Sequence, residues 1–243
     1  MSRGGTVSGD AQKAARRSEL IDAAIRVIRR DGAAVSMDAI AAEVGVTKPI
    51  LYRYFGDRDG LAGAVAERAF AQISADLGEA LGSPGGDREI LVATIDAYVS
   101  FVERDPDLYR YLMTRAGPTA GPTHGGSTQG RNPGRSRGAP AEALEGFAQQ
   151  VAGAVAFVIG ERLRAGGADS GAAEPWAYAL VGMVHMSSGW WLERRTMPRA
   201  TFVEYLATLV YDGMGSVGAT SFLSTPLSLA PFPSTDLTEE SSR

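Results

Sequence analysis

Residues 36–58, SMDAIAAEVGVTKPILYRYFGDR, constrain the fold more than any other segment, because they predict two short helices joined by a tight turn. Ser36 is suited to the N-cap of the first helix, whose apolar residues recur at the spacing of one buried face. Gly45 is expected to end this helix, since glycine readily adopts the left-handed conformation of a sharp exit. Thr47 can cap the second helix, and Pro49 fits its first turn. The pattern predicts a helix-turn-helix motif.

The second helix, residues 47–55, presents side chains that indicate contact with DNA. Leu51 and Phe55 lie one helical turn apart and are expected to face inward. Readout of a major groove needs an exposed helix whose N-terminal residues reach base edges, while hydroxyl, amine and guanidinium groups contact phosphates. Lys48 could donate to a guanine, and Ile50 could pack on a thymine methyl group. The predicted DNA-contacting residues are Ser36, Thr47, Lys48, Pro49, Ile50, Tyr52, Arg53, Tyr54 and Arg58.

The pattern Leu-Tyr-x-Tyr-Phe at residues 51–55 is followed by a basic residue, Arg58, and by Leu61. Together with an apolar helix that ends in Asp-Gly, this run resembles the DNA-binding domain of the tetracycline-repressor (TetR) family of bacterial regulators. The chain departs from the family at residues 58–59, where lysine and glutamate are usual, and at Gly60, a weak helix former in the next helix. We expect the fold to be unaffected by these differences.

The resemblance implies an all-α fold, with an N-terminal three-helix helix-turn-helix domain and a C-terminal helical domain for ligand binding and dimerisation, about nine helices in all. Glycine, proline and arginine dominate residues 115–140, which contain no acidic residue and too little apolar surface to order a loop. The expected domains are a disordered arm (1–12), the helix-turn-helix domain (13–60), the ligand-binding and dimerisation domain (61–215, with a disordered insertion at 115–140) and a disordered tail (216–243).

Apolar periodicity and capping residues predict the helices outside the motif. Asp57, Asp87 and Asp105 are the expected N-caps of the fourth, fifth and sixth helices. The predicted ranges are 13–31 for the first helix, 57–81 for the fourth, 87–103 for the fifth, 174–194 for the eighth and 199–214 for the ninth, with the seventh ending at Gly166-Gly167.

The last two predicted helices are hydrophobic on more than one face. A monomer would leave that surface in water, so we expect two copies to pair through helices 174–194 and 199–214, as the resemblance also implies. A two-fold dimer presents two reading helices to a palindromic double-stranded DNA operator, with half-sites ~34 Å apart or somewhat more. The resemblance implies a repressor that a small molecule releases, by swinging the fourth helix when it binds among helices four to eight.

Aromatic and methionine side chains beyond the motif indicate an apolar effector. A plain core role is the alternative for each of them, and a cationic effector would instead need acids such as Asp96 or Glu103 to face inward. The predicted effector-pocket residues are Phe70, Tyr98, Phe101, Tyr109, Met113, Phe147, Phe157, Trp176, Met183, His185 and Trp190.

Composition and charge narrow the functional classes. The chain has no cysteine, which excludes disulfides and cysteine-ligated metals, and its imidazoles are His124 and His185. Residues 1–60 hold ten Lys/Arg against eight Asp/Glu, whereas residues 61–243 hold fourteen against twenty, so the basic excess lies with the motif. Without an apolar stretch of signal-peptide or membrane-spanning length, we expect a bacterial cytoplasmic protein with no membrane association.

Enzymatic motifs are not convincing in this sequence. Residues 213–218 match GxGxxG, but they follow a predicted helix instead of the strand that a dinucleotide-binding turn requires. We therefore expect no enzyme, no cofactor and no metal site. The alternative to a regulator is a helical small-molecule-binding protein without DNA activity.

Overall fold

The structure, a computed structural model, describes residues 6–116 and 138–216. In these two ranges the regular elements are helical, which confirms the predicted all-α class. They are α1 (Thr6–Asp31), α2 (Met37–Glu43), α3 (Lys48–Phe55), α4 (Arg58–Leu81), α5 (Asp87–Arg104), α6 (Pro106–Ala116), α7 (Ala139–Ala165), a short 3-10 helix (Ser170–Ala172), α8 (Ala173–Arg194) and α9 (Arg199–Ser216).

The first three helices and the start of α4 enclose an N-terminal core. Leu20 and Ile28 of α1, Leu51 of α3 and Leu61 of α4 are fully buried in it. Ile40 supplies the contribution of α2. Burial of a leucine or isoleucine side chain contributes about 1.5–3 kcal/mol, so these few contacts fix the orientation of the two short helices.

Several predicted boundaries are wrong. The first helix begins at Thr6 instead of residue 13, so residues 6–12 are helical and not a disordered arm. Ala11 and Gln12 are good helix formers, and the helix continues through them to Thr6. Helix α6 also extends into the predicted insertion, to Ala116, and α7 begins within it at Ala139, because Pro140 is tolerated in a first helical turn. Residues 1–5, 117–137 and 217–243, with His124 among them, lie outside the described residues.

Of the predicted N-caps, Ser36 and Asp57 are confirmed by side-chain hydrogen bonds and Asp87 is wrong. The Ser36 hydroxyl accepts a hydrogen bond from the backbone N–H of Ala39 at 3.1 Å, and the Asp57 carboxylate accepts one from that of Gly60 at 2.7 Å. Gly86, not Asp87, is the N-cap residue of α5. The side chain of Thr47 makes no capping hydrogen bond, although Thr47 occupies the N-cap position of α3.

The C-terminal part is a bundle in which α4, α5, α7, α8 and α9 pack on one another. Helix α4 links the two parts, because it contacts α1 and α3 near its start and α5 and α7 along its length. Its buried stripe includes Leu61, Val65, Ile73 and Leu77. Movement of α4 would therefore change the position of the N-terminal helices relative to the bundle.

Helix α7 passes a length and composition test for a membrane span, with a mean hydropathy of 1.3, and no other helix of the described residues does. It packs between α4 and α8, where Phe147, Ile159 and Leu163 are buried. Its apolar residues therefore serve, at least in part, the packing of the bundle.

Candidate DNA-binding helix and effector cavity

Helix α3 is held by its inner face and leaves its outer face in solvent. Leu51 and Phe55 are buried, as predicted, and the Arg17 guanidinium lies over the Phe55 ring at 5.4 Å. Gly45 in the preceding turn has a φ of +64°, the left-handed conformation expected of it. The outer face of α3 and its flanks contain the exposed Thr47, Pro49, Tyr52 and Arg53, with Ile50 half-buried.

Lys48, at the start of α3, forms an ion pair with Asp38, at the start of α2. The Lys48 ammonium donates a hydrogen bond to the Asp38 carboxylate at 3.0 Å, which raises the pKa of Lys48. The ammonium has three N–H donors, so it can contact a base or phosphate either while it keeps this hydrogen bond or after it leaves the exposed carboxylate. Sequence reasoning missed Asp38, although the tight turn between the two helices is a signal that their first turns lie close together.

Two other predicted DNA-contacting residues make contacts within the protein. The Arg58 guanidinium donates to the backbone carbonyl of Val35 at 2.7 Å and so joins the start of α4 to the segment before α2. Tyr54 is half-buried against the N-terminal core, with the Arg53 guanidinium at 5.8 Å from its ring. Both residues therefore help to position α3, whatever they contact on DNA.

A part-buried ion pair joins the N-terminal helices to the bundle. Arg29 of α1 donates to both carboxylate oxygens of Asp105, at 2.6 and 3.0 Å, and Asp105 is 7% exposed. The sequence placed Asp105 as a cap of α6, but its side chain binds α1 instead. The neighbouring Arg30 donates to Glu43 of α2 at 2.8 Å. Adjacent residues of α1 thus contact the bundle and the helix-turn-helix motif.

The bundle contains a cavity of about 540 Å³ among α5, α7 and α8, and its lining also includes Leu77 of α4 and Ala116 of α6. Of the predicted pocket residues, Tyr98, Phe147 and His185 line it. The aliphatic part of the lining was not predicted from the sequence. Small and branched residues on several faces of the predicted helices could have indicated it. These lining residues include Leu77, Leu91, Ile95, Leu144, Val151, Val155, Leu180 and Val184.

The other predicted pocket residues lie elsewhere. Phe70 stacks on the Phe147 ring with centroids 4.5 Å apart. Phe101, Tyr109 and Met113 belong to the main core, while Met183 and Trp176 pack against two smaller apolar clusters. Phe157 and Trp190 are exposed. Six of these eight side chains therefore pack in apolar clusters, which is the core role that was the alternative interpretation of each of them.

A hydrogen bond links the two polar rings of the cavity. The Tyr98 hydroxyl and Nδ1 of His185 are 2.8 Å apart, and the Tyr109 ring lies 6.4 Å from the imidazole. Burial raises the pKa of Tyr98 well above its ordinary value and lowers the pKa of His185. Both side chains are consequently neutral near pH 7.

An exposed apolar surface lies on α8 and α9. Met186 and Trp190 of α8 are 63% and 45% exposed, and Tyr205 and Leu209 of α9 are 62% and 63% exposed. The two members of each pair are four residues apart and therefore share one helix face. The opposite faces of the same helices are buried, where Trp191 stacks on Phe202 with centroids 5.3 Å apart. We refer to Met186, Trp190, Tyr205 and Leu209 as the apolar surface.

A short helix presented on a helix-turn-helix support, beside a bundle with an apolar cavity, defines a class of helical DNA-binding regulators. The family model described as "Tetracyclin repressor-like, C-terminal domain" matches residues 76–222. The family model described as "Bacterial regulatory proteins, tetR family" matches residues 20–65. The chain belongs to the tetracycline-repressor family of bacterial transcriptional regulators.

Individual relatives agree with this assignment. The chain is 31% identical over 204 residues to the uncharacterized HTH-type transcriptional regulator Rv0472c of Mycobacterium tuberculosis, covering 83% of this chain and 78% of that protein. It is 35% identical over 98 residues to the HTH-type transcriptional activator FasR of Mycolicibacterium smegmatis, covering 40% and 45%. The Bacillus subtilis regulator FadR, solved in complex with stearoyl-CoA, has a TM-score of 0.61 at 15% identity, covering 81% and 98%. That likeness shows a shared fold.

Proposed function

We propose that this protein is a ligand-responsive repressor of the bacterial cytoplasm, which binds a palindromic operator as a homodimer through α3 and is released by a small apolar effector. The observation that carries the proposal is the orientation of α3. Leu51 and Phe55 anchor the helix in the core, while Thr47, Pro49 and Tyr52 remain exposed for contact with a duplex.

The proposed contacts with DNA are of two kinds, contacts to base edges and contacts to phosphates. Lys48 and Ile50, at the start of α3, are placed to reach base edges, and Lys48 can do so with or without its hydrogen bond to Asp38. Ser36, Thr47, Tyr52 and Tyr54 offer hydroxyl groups to phosphates, and Arg53 offers a guanidinium. Arg58 acts mainly by holding Val35, with its remaining N–H groups available to a phosphate.

The apolar surface supports the homodimer. Four large apolar side chains on adjacent helices would be costly to leave in water, and self-association of α8 and α9 across a two-fold axis would bury them. Such a dimer orients two copies of α3 toward the same side, as a palindrome requires.

The cavity supports the proposal that a small molecule regulates the protein. Its volume lies within the range of roughly 300–1,000 Å³ that is usual for sites of small molecules, and its lining is mainly aliphatic. Leu77 of α4 contributes to the lining, so a ligand that repositions α4 also displaces the helix-turn-helix motif. A ligand that prefers the DNA-incompetent state by about 100-fold supplies about 2.7 kcal/mol of coupling, enough to release an operator.

The test is operator binding by a recognition-helix variant. DNA from upstream of the protein's own coding region is titrated at several salt concentrations with wild-type protein, Lys48→Ala/Tyr52→Ala and the control Arg164→Ala. We expect the double variant to bind at least about tenfold more weakly and with a shallower salt dependence, because it loses phosphate and base contacts. Arg164 lies on α7 and removes the same charge far from α3, so that variant should bind like wild type.

Two results would count against the proposal. Absence of salt-sensitive binding to any palindrome, with ligand binding retained, would identify a helical small-molecule-binding protein. Equal loss of affinity in the double variant and in Arg164→Ala would show that α3 is not the reading element. A reporter gene placed behind the operator distinguishes a repressor, which lowers expression, from an activator.

A further inference from the structure

The described lining of the cavity offers no positive charge to a ligand. It contains no lysine and no arginine. The acidic residue of this lining is Glu145, which already interacts with another group of the chain, as does Tyr178. A carboxylate or phosphate inside this cavity would therefore lose its hydration without gaining an ion pair from the described lining, which is costly.

The polar groups of the lining are mostly satisfied. The Thr94 hydroxyl donates to the carbonyl of Ile90 at 2.8 Å, within its own helix. Gln149 is exposed at the outer end of the lining. The paired rings of Tyr98 and His185 are consequently the main polar feature that a buried ligand meets.

This pair retains hydrogen-bonding capacity in either proton arrangement. If the Tyr98 hydroxyl donates to Nδ1 of His185, Nε2–H remains as a donor and the phenol oxygen as an acceptor. If Nδ1–H donates to the phenol oxygen, the hydroxyl remains as a donor and Nε2 as an acceptor. Each arrangement leaves one donor and one acceptor, both on neutral groups, for a polar atom of the ligand.

We propose that the effector is an uncharged amphiphile, an apolar body with one neutral oxygen function such as an alcohol, ketone, ester or amide, which hydrogen-bonds to the Tyr98–His185 pair. The aliphatic lining binds the apolar body, and the pair provides specificity for the oxygen. This inference rests on the proposed function, because it defines the chemical class of the effector in the same cavity.

The test uses four probes with one carbon skeleton: phenylpropanol, phenylpropanoate, phenylpropylammonium and propylbenzene. Each is titrated calorimetrically into the full-length protein at pH 7.5. We expect phenylpropanol to bind at least about tenfold more tightly than either charged probe, because their burial would require desolvation of an unpaired charge. It should bind about threefold to tenfold more tightly than propylbenzene, the ratio that one net hydrogen bond provides.

Substitutions of Tyr98 and His185 test whether this pair causes the preference for phenylpropanol. Tyr98→Phe and His185→Leu should each lower the affinity for phenylpropanol by about threefold to tenfold and leave that for propylbenzene unchanged, because only the alcohol uses the pair. His185→Gln, which keeps a donor and an acceptor, should retain most of the affinity. The control Tyr211→Phe removes a phenol hydroxyl that does not belong to the cavity lining and should change neither affinity.

Several results would overturn the inference. They are tighter binding of phenylpropanoate or phenylpropylammonium, equal losses for phenylpropanol and propylbenzene in Tyr98→Phe and His185→Leu, or binding of none of the four probes. Operator binding measured on the same preparations separates these failures from a failure of the proposed function, since a regulator with a different effector would still bind DNA.

Discussion

At the junction of α3 and α4, the space beside the backbone restricts residue 60 to glycine, although glycine has a poor helix propensity. A Cβ atom on Gly60 would lie 2.0 Å from the backbone carbonyl oxygen of Phe55, a contact that no side-chain adjustment can relieve. The glycine that weakens the first turn of α4 therefore permits the close approach of the recognition helix. Its poor helix propensity costs about 1 kcal/mol, which the packing of α3 offsets.

Gly60→Ala should destabilise the protein by about 1–3 kcal/mol and weaken operator binding, because α3 must shift to admit the methyl group. Urea denaturation and the operator titration measure the two effects. Gly153→Ala on α7 is the matched control, since a Cβ there meets nothing within 4 Å, and it should be neutral or slightly stabilising. Equal effects of the two substitutions would contradict the steric account.

His185 should make stability depend on pH. Burial lowers its folded-state pKa below the ordinary value of 6.5, so below that pH the unfolded chain binds more protons and the free energy of unfolding decreases as the pH falls. The contribution is fully present above about pH 6.5 and is lost by at most about 1.4 kcal/mol per pH unit down to the folded-state pKa.

Urea denaturation of wild type and His185→Gln at about pH 7.5 and about pH 5.5 measures this contribution. The carboxylates are common to both proteins, so the difference between them isolates the imidazole. We expect wild type to lose more stability on acidification than the glutamine variant. The same pH dependence in both would show that burial does not shift the His185 pKa.

At the scale of elements, α1 contacts both the helix-turn-helix motif and the bundle that contains the cavity. Arg29 binds Asp105 at the start of α6, and the next residue, Arg30, binds Glu43 of α2. Helix α6 carries Tyr109, whose ring lies near that of His185 in the cavity. A displacement of the lining thus has a short route to the recognition motif through α6 and α1, in addition to the route through α4.

Arg29→Ala should destabilise the protein by about 1–3 kcal/mol, because the buried Asp105 carboxylate loses both hydrogen bonds from Arg29 and keeps the longer ion pair with Arg104 at 3.6 Å. Asp105→Asn introduced into that variant should recover part of the loss by removing the charge. The control Arg30→Ala breaks the ion pairs of an exposed guanidinium and should destabilise the protein less than Arg29→Ala does. Denaturation midpoints that rank Arg30→Ala as the more harmful change would contradict this reading of the contacts.

At the scale of the whole molecule, DNA recognition by one α3 is expected to be too weak without a second copy. The apolar surface on α8 and α9 lies on the bundle, apart from the helix-turn-helix motif, so its disruption should abolish pairing without altering α3. The oligomeric state and operator affinity should therefore change together.

Leu209→Glu should convert the dimer into a folded monomer that binds the operator at least about 100-fold more weakly, because a buried, unpaired carboxylate opposes association. Light scattering coupled to gel filtration, circular dichroism and the operator titration provide the three readouts. Ala71→Glu on the exposed face of α4 adds the same charge and should leave the protein dimeric. A wild-type protein that remains monomeric at micromolar concentration would refute the dimer.

The helix-turn-helix motif was predictable from sequence because its determinants are local. Ser36 as a cap, the positive φ of Gly45 and the inward pair Leu51 and Phe55 each depend on residues only a few positions away. The all-α class follows equally from periodicity. Two predictions failed for local reasons. Helix α1 begins upstream of the predicted residue 13, and the residue before Asp87, Gly86, is the N-cap of α5.

The cavity and the ion pairs were decided by tertiary structure alone. From the sequence, Asp105 is predicted to be a cap, because its partner Arg29 lies 76 positions earlier in the chain. The residue type alone does not show whether Phe70 or Phe101 lines a pocket or packs in the core. Periodicity fixes which face of a helix is apolar, but the mutual packing of α5, α7 and α8 determines whether that face meets another side chain or an open space. The sequence thus determined the helices and the reading motif, while their packing determined the cavity, since its volume depends on contacts between distant residues.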